Sequence, residues 1–310
     1  MTRVVVLELP GRMASSAAIT HDVLATANRV SAAAGRPAPF SVATLSCTGP
    51  CSRSIPARTE LIIVPGLGVD TADRLIDRLA APDCRRAGQL LERASRTGAS
   101  IAASCASTFL LAEAGLLNGR RATTTWWFAP LFRRRYPTVT LLADQIVVAD
   151  WPVATGGAAM AHMDLMLAVV ARFAGIGLAK TCADYLLLGD RRSQAPFMAI
   201  TYLASQDPKV AKAENWVRRN VSRDFSVGEL ARAMALSPRT FARRISVTCG
   251  LSPIQFVRRI RIETARFLLK TTKLSVEEIA RQVGYADSST LRRLMKRDTR
   301  FSPAEFRRSA

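Results

Sequence analysis

Residues 226–256 read SVGELARAMALSPRTFARRISVTCGLSPIQF, and residues 275–306 read SVEEIARQVGYADSSTLRRLMKRDTRFSPAEF. The second stretch repeats the first. Ser226-Val227, Glu229 and Ala231-Arg232 return 49 residues later as Ser275-Val276, Glu278 and Ala280-Arg281. Arg243, Ser252-Pro253 and Phe256 return 50 residues later as Arg293, Ser302-Pro303 and Phe306, so one extra residue has entered the turn between the halves. The apolar positions follow a helical period. Val227, Leu230, Ala231 and Met234 share one face, and Val276, Ile279, Ala280 and Val283 repeat it. Ser237-Pro238 opens a second helix, with serine as N-cap and proline where a backbone N–H is not needed. Each copy reads as a helix–turn–helix, one over about 226–249 and one over about 275–298, with an arginine-rich second helix.

Between the copies, Ser252-Pro253 starts a helix expected to run over 252–270, with Ile262, Ala265, Leu268 and Leu269 inward. About 18 residues span roughly 27 Å. Such a strut can hold two recognition helices near one DNA turn apart, about 34 Å. Phe241 and Ile245 are expected inward in the first unit, and Leu291 and Met295 in the second. Arg239, Ala242, Arg243 and Arg244 are then left on the outer face of one helix. Ser289, Thr290, Arg292 and Arg293 are left on the other. Arginine pairs bidentately with the O6/N7 edge of guanine, and serine or threonine donates to base or phosphate. Helix N-termini add contacts to phosphate. A lone arginine usually only solvates a helix face, but two sets in register point to double-stranded DNA as the partner.

The charge balance agrees with this. The 310 residues carry a net charge of +20. Residues 191–310 hold 25 Lys+Arg against 10 Asp+Glu, whereas residues 1–190 hold 19 against 14. A basic module behind a near-neutral one suits a polyanion. There is no run of 18 apolar residues and no signal-peptide pattern, so a cytoplasmic protein without a membrane partner is expected. Cysteines 47, 51, 84, 105, 182 and 249 lack paired metal-ligand spacing, and there are only two histidines. Neither a metal nor a cofactor is expected, and the cysteines read as reduced and mostly buried. Cys47-Thr48-Gly49-Pro50-Cys51 is a turn with two cysteines, for which a redox role is the alternative to ordinary packing.

The N-terminal part alternates strand-length apolar runs, Val4–Leu9, Ser41–Leu45, Leu61–Val64 and Ile101–Ser104, with helical stretches near 17–34, 71–80 and 84–97. That alternation implies a parallel sheet sandwiched by helices, a flavodoxin-like α/β fold. The C-terminal part is all-α. Val139–Leu142 and Ile146–Val148 are expected to form an edge hairpin, and Gly156-Gly157 to open a helix ending near Phe173. The expected division is 1–190 for the α/β sensor and dimerisation domain, 191–207 for a linker and 208–310 for the DNA-binding domain.

Residues 101–117, IAASCASTFLLAEAGLL, run from a strand through Cys105 into a helix, as a nucleophile elbow does. A thiol at a helix N-terminus is expected to have a lowered pKa. Carboxyl ends of strands carry the ligands in open α/β sheets. Gly66, Cys105, Ala106, Trp126 and Trp127 are therefore the candidate pocket residues, with the indole faces available to a cationic amine.

Residues 206–308 resemble the AraC/XylS family of bacterial transcription factors, with that family's Gly-x-Ser-Pro signature at Gly250-Leu251-Ser252-Pro253. Arg300 stands where the second copy would have glycine. Residues 3–190 resemble the class I glutamine amidotransferase-like superfamily, in its intracellular cysteine peptidase branch. That resemblance rests on Leu111-Ala112-Glu113-Ala114-Gly115-Leu116-Leu117 and Gly119-Arg120-Arg121-Ala122-Thr123-Thr124-Thr125-Trp126. It places Thr125 where the family carries histidine and Ser107 where it carries glycine, which implies a degenerate, non-enzymatic elbow at Cys105. The resemblance implies an effector-responsive transcriptional regulator that forms a homodimer and binds a small molecule. Activation is the commoner outcome among such relatives, and an activator would also engage RNA polymerase. The alternative is a cysteine-dependent hydrolase or amidase acting through Cys105, with His21 or His162 as a substitute base.

Overall fold

The structure is a computed structural model that describes residues 1–47, 54–189, 193–194, 198–299 and 301–308. The chain divides into two compact units, Met1–Gln194 and Ala195–Ala310. Residues 48–53, including Cys51, and Arg300 lie outside the described residues.

The first unit contains β1 (Thr2–Glu8), α1 (Ala14–Ala33), β2 (Phe40–Ser46), β3 (Leu61–Val64), α2 (Ala72–Ala80), α3 (Pro82–Arg96) and β4 (Ser100–Ser104). It continues with α4 (Ser107–Glu113), β5 (Arg121–Ala122), a 3-10 turn at Trp126–Phe128, α5 (Ala129–Arg135) and β6 (Thr140–Leu141). It ends with β7 (Val147–Asp150), β8 (Val153–Gly156), α6 (Ala161–Ala174) and α7 (Ile176–Tyr185). Six strands form one sheet in the order β2-β1-β3-β4-β8-β7, parallel except at the β7–β8 edge. This is the flavodoxin-like α/β architecture read from the sequence.

Strand alternation explains why both faces are apolar. Ile62 and Val64 of β3 join Leu75, Leu91, Phe109 and Phe132 on one face. Leu61 and Ile63 join Val23, Leu24, Leu165 and Val169 on the other. A strand buried on both faces reads as a continuous Leu-Ile-Ile-Val run rather than an alternating one.

The expected hairpin of 139–142 with 146–148 does not form. Thr140–Leu141 pairs in parallel with Arg121–Ala122 in a separate two-stranded sheet, and the hairpin is β7–β8. The stretch Val153-Ala154-Thr155-Gly156 looks weak as a strand, but its small residues fit a fully buried position between β4 and β7. A Cβ on Gly156 would lie 3.1 Å from the Ser104 Cβ, so that pairing is unusually close. The following helix begins at Ala161, later than Gly157.

The second unit contains α8 (Ile200–Ala204), α9 (Pro208–Arg219), α10 (Val227–Ala233), α11 (Pro238–Cys249), α12 (Pro253–Thr271), α13 (Val276–Gln282), α14 (Ser288–Thr299) and α15 (Pro303–Arg308). The helix starts are chemically marked. Ser226, Ser237, Ser252 and Ser275 each accept a backbone N–H three residues on, and Ser252–Gln255 and Ser275–Glu278 are full capping boxes. Gly250 ends α11 at φ 70°, the left-handed C-cap that glycine adopts without strain. Helix α12 serves both units. Its Phe256 and Ile260 are buried, as are Phe241 and Ile245 of α11. Its Ile262, Ala265 and Leu269 pack with Ile279, Leu291 and Met295.

Residues 191–207 are not the bare connector expected from their polarity. Ser193 and Gln194 hydrogen-bond within the first unit, and Ile200–Ala204 is a helix of the second with Ile200 and Leu203 buried.

Candidate nucleic-acid interface and cysteine elbow

On α11, Phe241 and Ile245 point into the core, which turns Arg239 and Arg243 to solvent with Ala242 half-buried beside them. On α14, buried Leu291 and Met295 leave Ser289, Arg292 and Arg293 exposed and Thr290 half-buried. The offset of 50 residues pairs Arg239 with Ser289, Ala242 with Arg292 and Arg243 with Arg293. Among the described residues, Arg239, Arg243 and Arg293 make no ion pair. Their guanidinium donors stay available, which suits planar bidentate recognition.

The other candidates are engaged within the protein. Arg244 forms an ion pair with Asp207 at 2.6 Å, and Asp207 also caps α9 by accepting the Lys209 N–H. Burial raises the Asp207 pKa, but Arg244 and the α9 N–H groups outweigh it and hold the carboxyl below its usual range. Arg244 therefore fastens α11 to α9, a structural task that the helical-wheel reading did not separate from DNA contact. Arg292 pairs with Glu277 at 2.8 Å, with both side chains more than half exposed, so this pair is weak and open to exchange. The Ser289 hydroxyl donates to Asp287, and the Thr290 N–H donates to the same carboxylate at 2.9 Å, capping α14. Lys296 is exposed one turn beyond Arg292, at the position that the 50-residue offset pairs with Ser246.

In the first unit, the turn after β4 holds Cys105 at φ 57°. Its N–H is bound by the carbonyls of Gly156 and Gly157 at 3.0 and 2.9 Å. The elbow geometry is present, and the strain sits on the cysteine. Ser107 adapts by donating its hydroxyl to the Pro65 carbonyl at 2.6 Å. Gly66 faces the elbow, because a Cβ there would lie 3.2 Å from the Cys105 Cβ and 3.4 Å from the Ser16 Oγ. Ala106 follows Cys105 and is buried. Trp126 and Trp127 are half-buried in an edge-to-face pair, centroids 5.3 Å apart, and Trp127 packs on the sheet core.

The expected low thiol pKa is not found. Burial pushes Cys105 up to about 11, against the lowering effects of the Ala106 N–H and the nearby Thr125. The short helix that follows does not overcome removal from water. Thr125, buried in the histidine's place, makes no full hydrogen bond. His162 is committed elsewhere. Thr20 Oγ1 donates to the Ser16 carbonyl, so it can only accept from His162 Nε2, at 2.7 Å. The Nδ1 must then accept the Ser104 hydroxyl proton, at 2.8 Å. Burial lowers the His162 pKa to about 4, so the ring is neutral at pH 7. His21 lies 3.5 Å from the Thr44 hydroxyl on β2. Neither imidazole is paired with the thiol.

Gln194 falls in the expected linker, yet it is buried. Its Nε2 donates to the Ala143 and Thr124 carbonyls at 2.7 and 3.0 Å, and its Oε1 accepts from the Ala158 N–H at 3.1 Å. The Thr124 hydroxyl in turn donates to the Cys105 carbonyl at 2.8 Å. A single polar residue in a polar stretch carries no sequence signal for such a plug. A separate cavity of about 390 Å³ lies at the amino ends of β3 and β4, lined by Ile55, Pro56, Arg58, Leu90, Arg93 and Ala99 among others. Cys47, Cys84, Cys105, Cys182 and Cys249 are buried, and the rest of the two-cysteine turn after Cys47 lies outside the described residues. Among the described residues no helix is long and apolar enough to cross a membrane, and no group of three His, Cys, Asp or Glu gathers to hold a metal.

A helix-turn-helix domain model matches residues 230–309, and the DJ-1/PfpI family model matches residues 53–172. The chain is 28% identical over 222 residues to the HTH-type transcriptional regulator CdhR of Pseudomonas aeruginosa, covering 71% of this chain and 66% of that protein. It is 28% identical over 204 residues to the HTH-type transcriptional regulator ArgR of the same species, covering 64% and 61%. The chain thus spans slightly under two thirds of each of these relatives. Among solved structures it is similar to an AraC family transcriptional regulator from Pseudomonas putida, with 20% identity and a TM-score of 0.47, covering 60% of this chain and 100% of that one. The 222- and 204-residue matches are longer than either unit, so the likeness runs through both. Over both units the chain is similar to HTH-type transcriptional regulators, with a stretch at 230–309 that matches a helix–turn–helix domain and one at 53–172 that matches the DJ-1/PfpI family.

Proposed function

We propose that this protein is a cytoplasmic, sequence-specific transcriptional regulator whose two recognition helices read successive major-groove segments of promoter DNA. The observation that carries this reading is the equivalence of Arg243 and Arg293. Both are exposed and make no ion pair among the described residues, and they stand at the same register in two capped units built on one helix. Arg239, Ala242 and Arg243 on α11, and Ser289, Thr290, Arg292, Arg293 and Lys296 on α14, form the base- and phosphate-contacting set. Arg244 acts structurally through Asp207. Residues 1–194 form the sensor and dimerisation domain, and an activating role would add RNA polymerase as a partner.

The elbow binds a small effector rather than turning over a substrate. A thiol with a pKa near 11 and no imidazole beside it is a poor nucleophile. The same elbow retains binding chemistry. Among the described residues, Ser16 Oγ and Thr108 Oγ1 are buried without hydrogen-bond partners around Cys105 and Gly66, and Thr125 Oγ1 has only the thiol beside it. An unsatisfied buried hydroxyl costs about 1–3 kcal/mol. A polar ligand seated by Gly66, Cys105 and Ala106, with Trp126 and Trp127 at its rim, would recover that cost.

Selection of bound duplexes from a random pool, followed by footprinting, tests the main claim. Two protected segments about one helical turn apart are expected. Uniform coating without a preferred sequence would sink it. A thermal-shift screen of metabolites tests the effector, since a ligand specific to the native state raises apparent stability.

A further inference from the structure

The two helix–turn–helix units are tied to each other as well as to α12. Arg261, near the middle of that helix, donates from Nη1 to the Gly284 carbonyl at 3.0 Å and from Nη2 to the Arg223 carbonyl at 2.7 Å. Its guanidinium lies 5.3 Å from the Phe225 ring centroid and 5.6 Å from that of Tyr285. Arg223 and Phe225 belong to the segment leading into α10 of the first unit, and Gly284 and Tyr285 form the turn between α13 and α14 of the second. One side chain therefore grips the lead-in of one unit and the turn of the other.

The backbones also meet there. Gly284 has φ +80°, and a Cβ on it would lie 2.5 Å from the Val221 carbonyl oxygen and 2.7 Å from Arg261 Nη2. Val221 packs against the core of the second unit, while Phe225 stands edge-on to Trp216 of α9, centroids 4.9 Å apart. Residues 221–225 thus form a strap between the two cores, and Arg261 pins it. Only a planar fork with several fixed N–H groups and two aromatic-compatible faces can make all four contacts at once. A lysine keeps the charge but offers a single point of attachment.

We propose that Arg261 is a positioning residue that sets the distance and rotation between the two recognition helices, and hence the half-site spacing that the protein accepts on duplex DNA. This rests on the reading of α11 and α14 as DNA probes. Without the tie, each unit keeps its own core on α12 but can rock against the other. Spacing discrimination should then relax while each half is still read.

The test uses the full chain and the bipartite duplex that the wild type selects from a random pool, with and without one inserted base pair between the halves. One base pair turns the halves by about 34° and separates them by about 3.4 Å. Wild type is expected to lose about tenfold in affinity on insertion, and Arg261→Gln about threefold or less. On a duplex carrying one half only, the two proteins should agree within about twofold. If Arg261→Gln keeps the wild-type insertion penalty, or weakens on the single half as much as on the whole, the proposal is overturned. Should Arg261→Gln fail to melt cooperatively, Arg261→Lys is read by the same two criteria. Indiscriminate binding by the wild type would remove the DNA-reading premise itself, and it shows before any variant is compared.

Discussion

The two domains treat their polar groups in opposite ways. Around the elbow, Ser104, Cys105, His162 and Thr20 are all buried, and burial sets their chemistry: the thiol rises to about 11 and the imidazole falls to about 4. Both groups are neutral near pH 7. On α11 and α14, Arg239, Arg243 and Arg293 are exposed and make no ion pair among the described residues, so their charge and donors face solvent. A motif places a functional group along the chain, but its exposure decides which protonation state and which partners it has. The elbow keeps the outline of a reactive site with its thiol protonated, and the three arginines keep their charge at the surface.

The largest expected effect comes from the buried side of this comparison. His162 has a native pKa of about 4 against about 6.5 for an unfolded histidine. Between those values the unfolded chain binds the extra proton, so native stability rises with pH. The contribution is intact above pH 6.5 and is lost progressively as pH falls, the loss reaching about 3 kcal/mol at pH 4. Chemical unfolding followed by tryptophan fluorescence reports mainly on this domain, which holds Trp126, Trp127 and Trp151 against Trp216 in the other. His162→Gln should flatten the slope between pH 6.5 and 4 relative to wild type. An unchanged slope would mean that the ring is not buried neutral.

On the exposed side, Arg243→Ala or Arg293→Ala should cost about 1–3 kcal/mol on the selected site and relax base preference at one position. Equal losses on selected and random DNA would mean that these arginines touch only phosphate. Arg244→Ala is the internal control. It should lower the melting temperature through the lost Asp207 pair and leave base preference intact. If Arg244→Ala behaves like Arg243→Ala, the division between structural and reading arginines is wrong.

The architecture was legible where periodicity is strong. The Leu-Ile-Ile-Val strand, the two serine-capped repeats and the long shared helix each announce themselves by local rules. The β7–β8 hairpin was not, because Val-Ala-Thr-Gly has little strand character until a flanking strand on each side buries it. Gln194 and Arg261 were illegible for a related reason. Each acts through partners distant in sequence, from Thr124 and Ala143 for one to Arg223 and Gly284 for the other. For the face proposed to meet DNA, helical spacing marks the exposed side, but only the folded structure shows that Arg244 is committed to Asp207 and that Arg292 is shared with Glu277.

That last pair offers a smaller test. Glu277 places a negative charge beside the α14 arginines and holds Arg292. Glu277→Gln should release Arg292 and remove repulsion from phosphate. Affinity for DNA of any sequence should rise by about two- to fivefold, with a salt slope steeper by about one ion. Lost affinity would make the pair a device that orients Arg292 for binding.

The smallest effect is expected at the residue that the sequence makes most conspicuous. At pH 7 a thiol of pKa about 11 is ionised to roughly one part in ten thousand. Cys105→Ser exchanges one neutral buried hydrogen-bonding group for another in the same turn. DNA affinity should stay within about twofold of wild type, and amide and ester substrates should show no turnover that the substitution removes. Cys105-dependent turnover would restore the hydrolase reading. Loss of specific DNA binding with the fold preserved would show instead that the elbow and the recognition helices are energetically coupled without an effector, since a serine hydroxyl is smaller than the thiol and leaves the charge unchanged. Substitution of the buried groups should therefore move the pH profile of stability, substitution of the exposed arginines the sequence preference, and substitution of Cys105 neither.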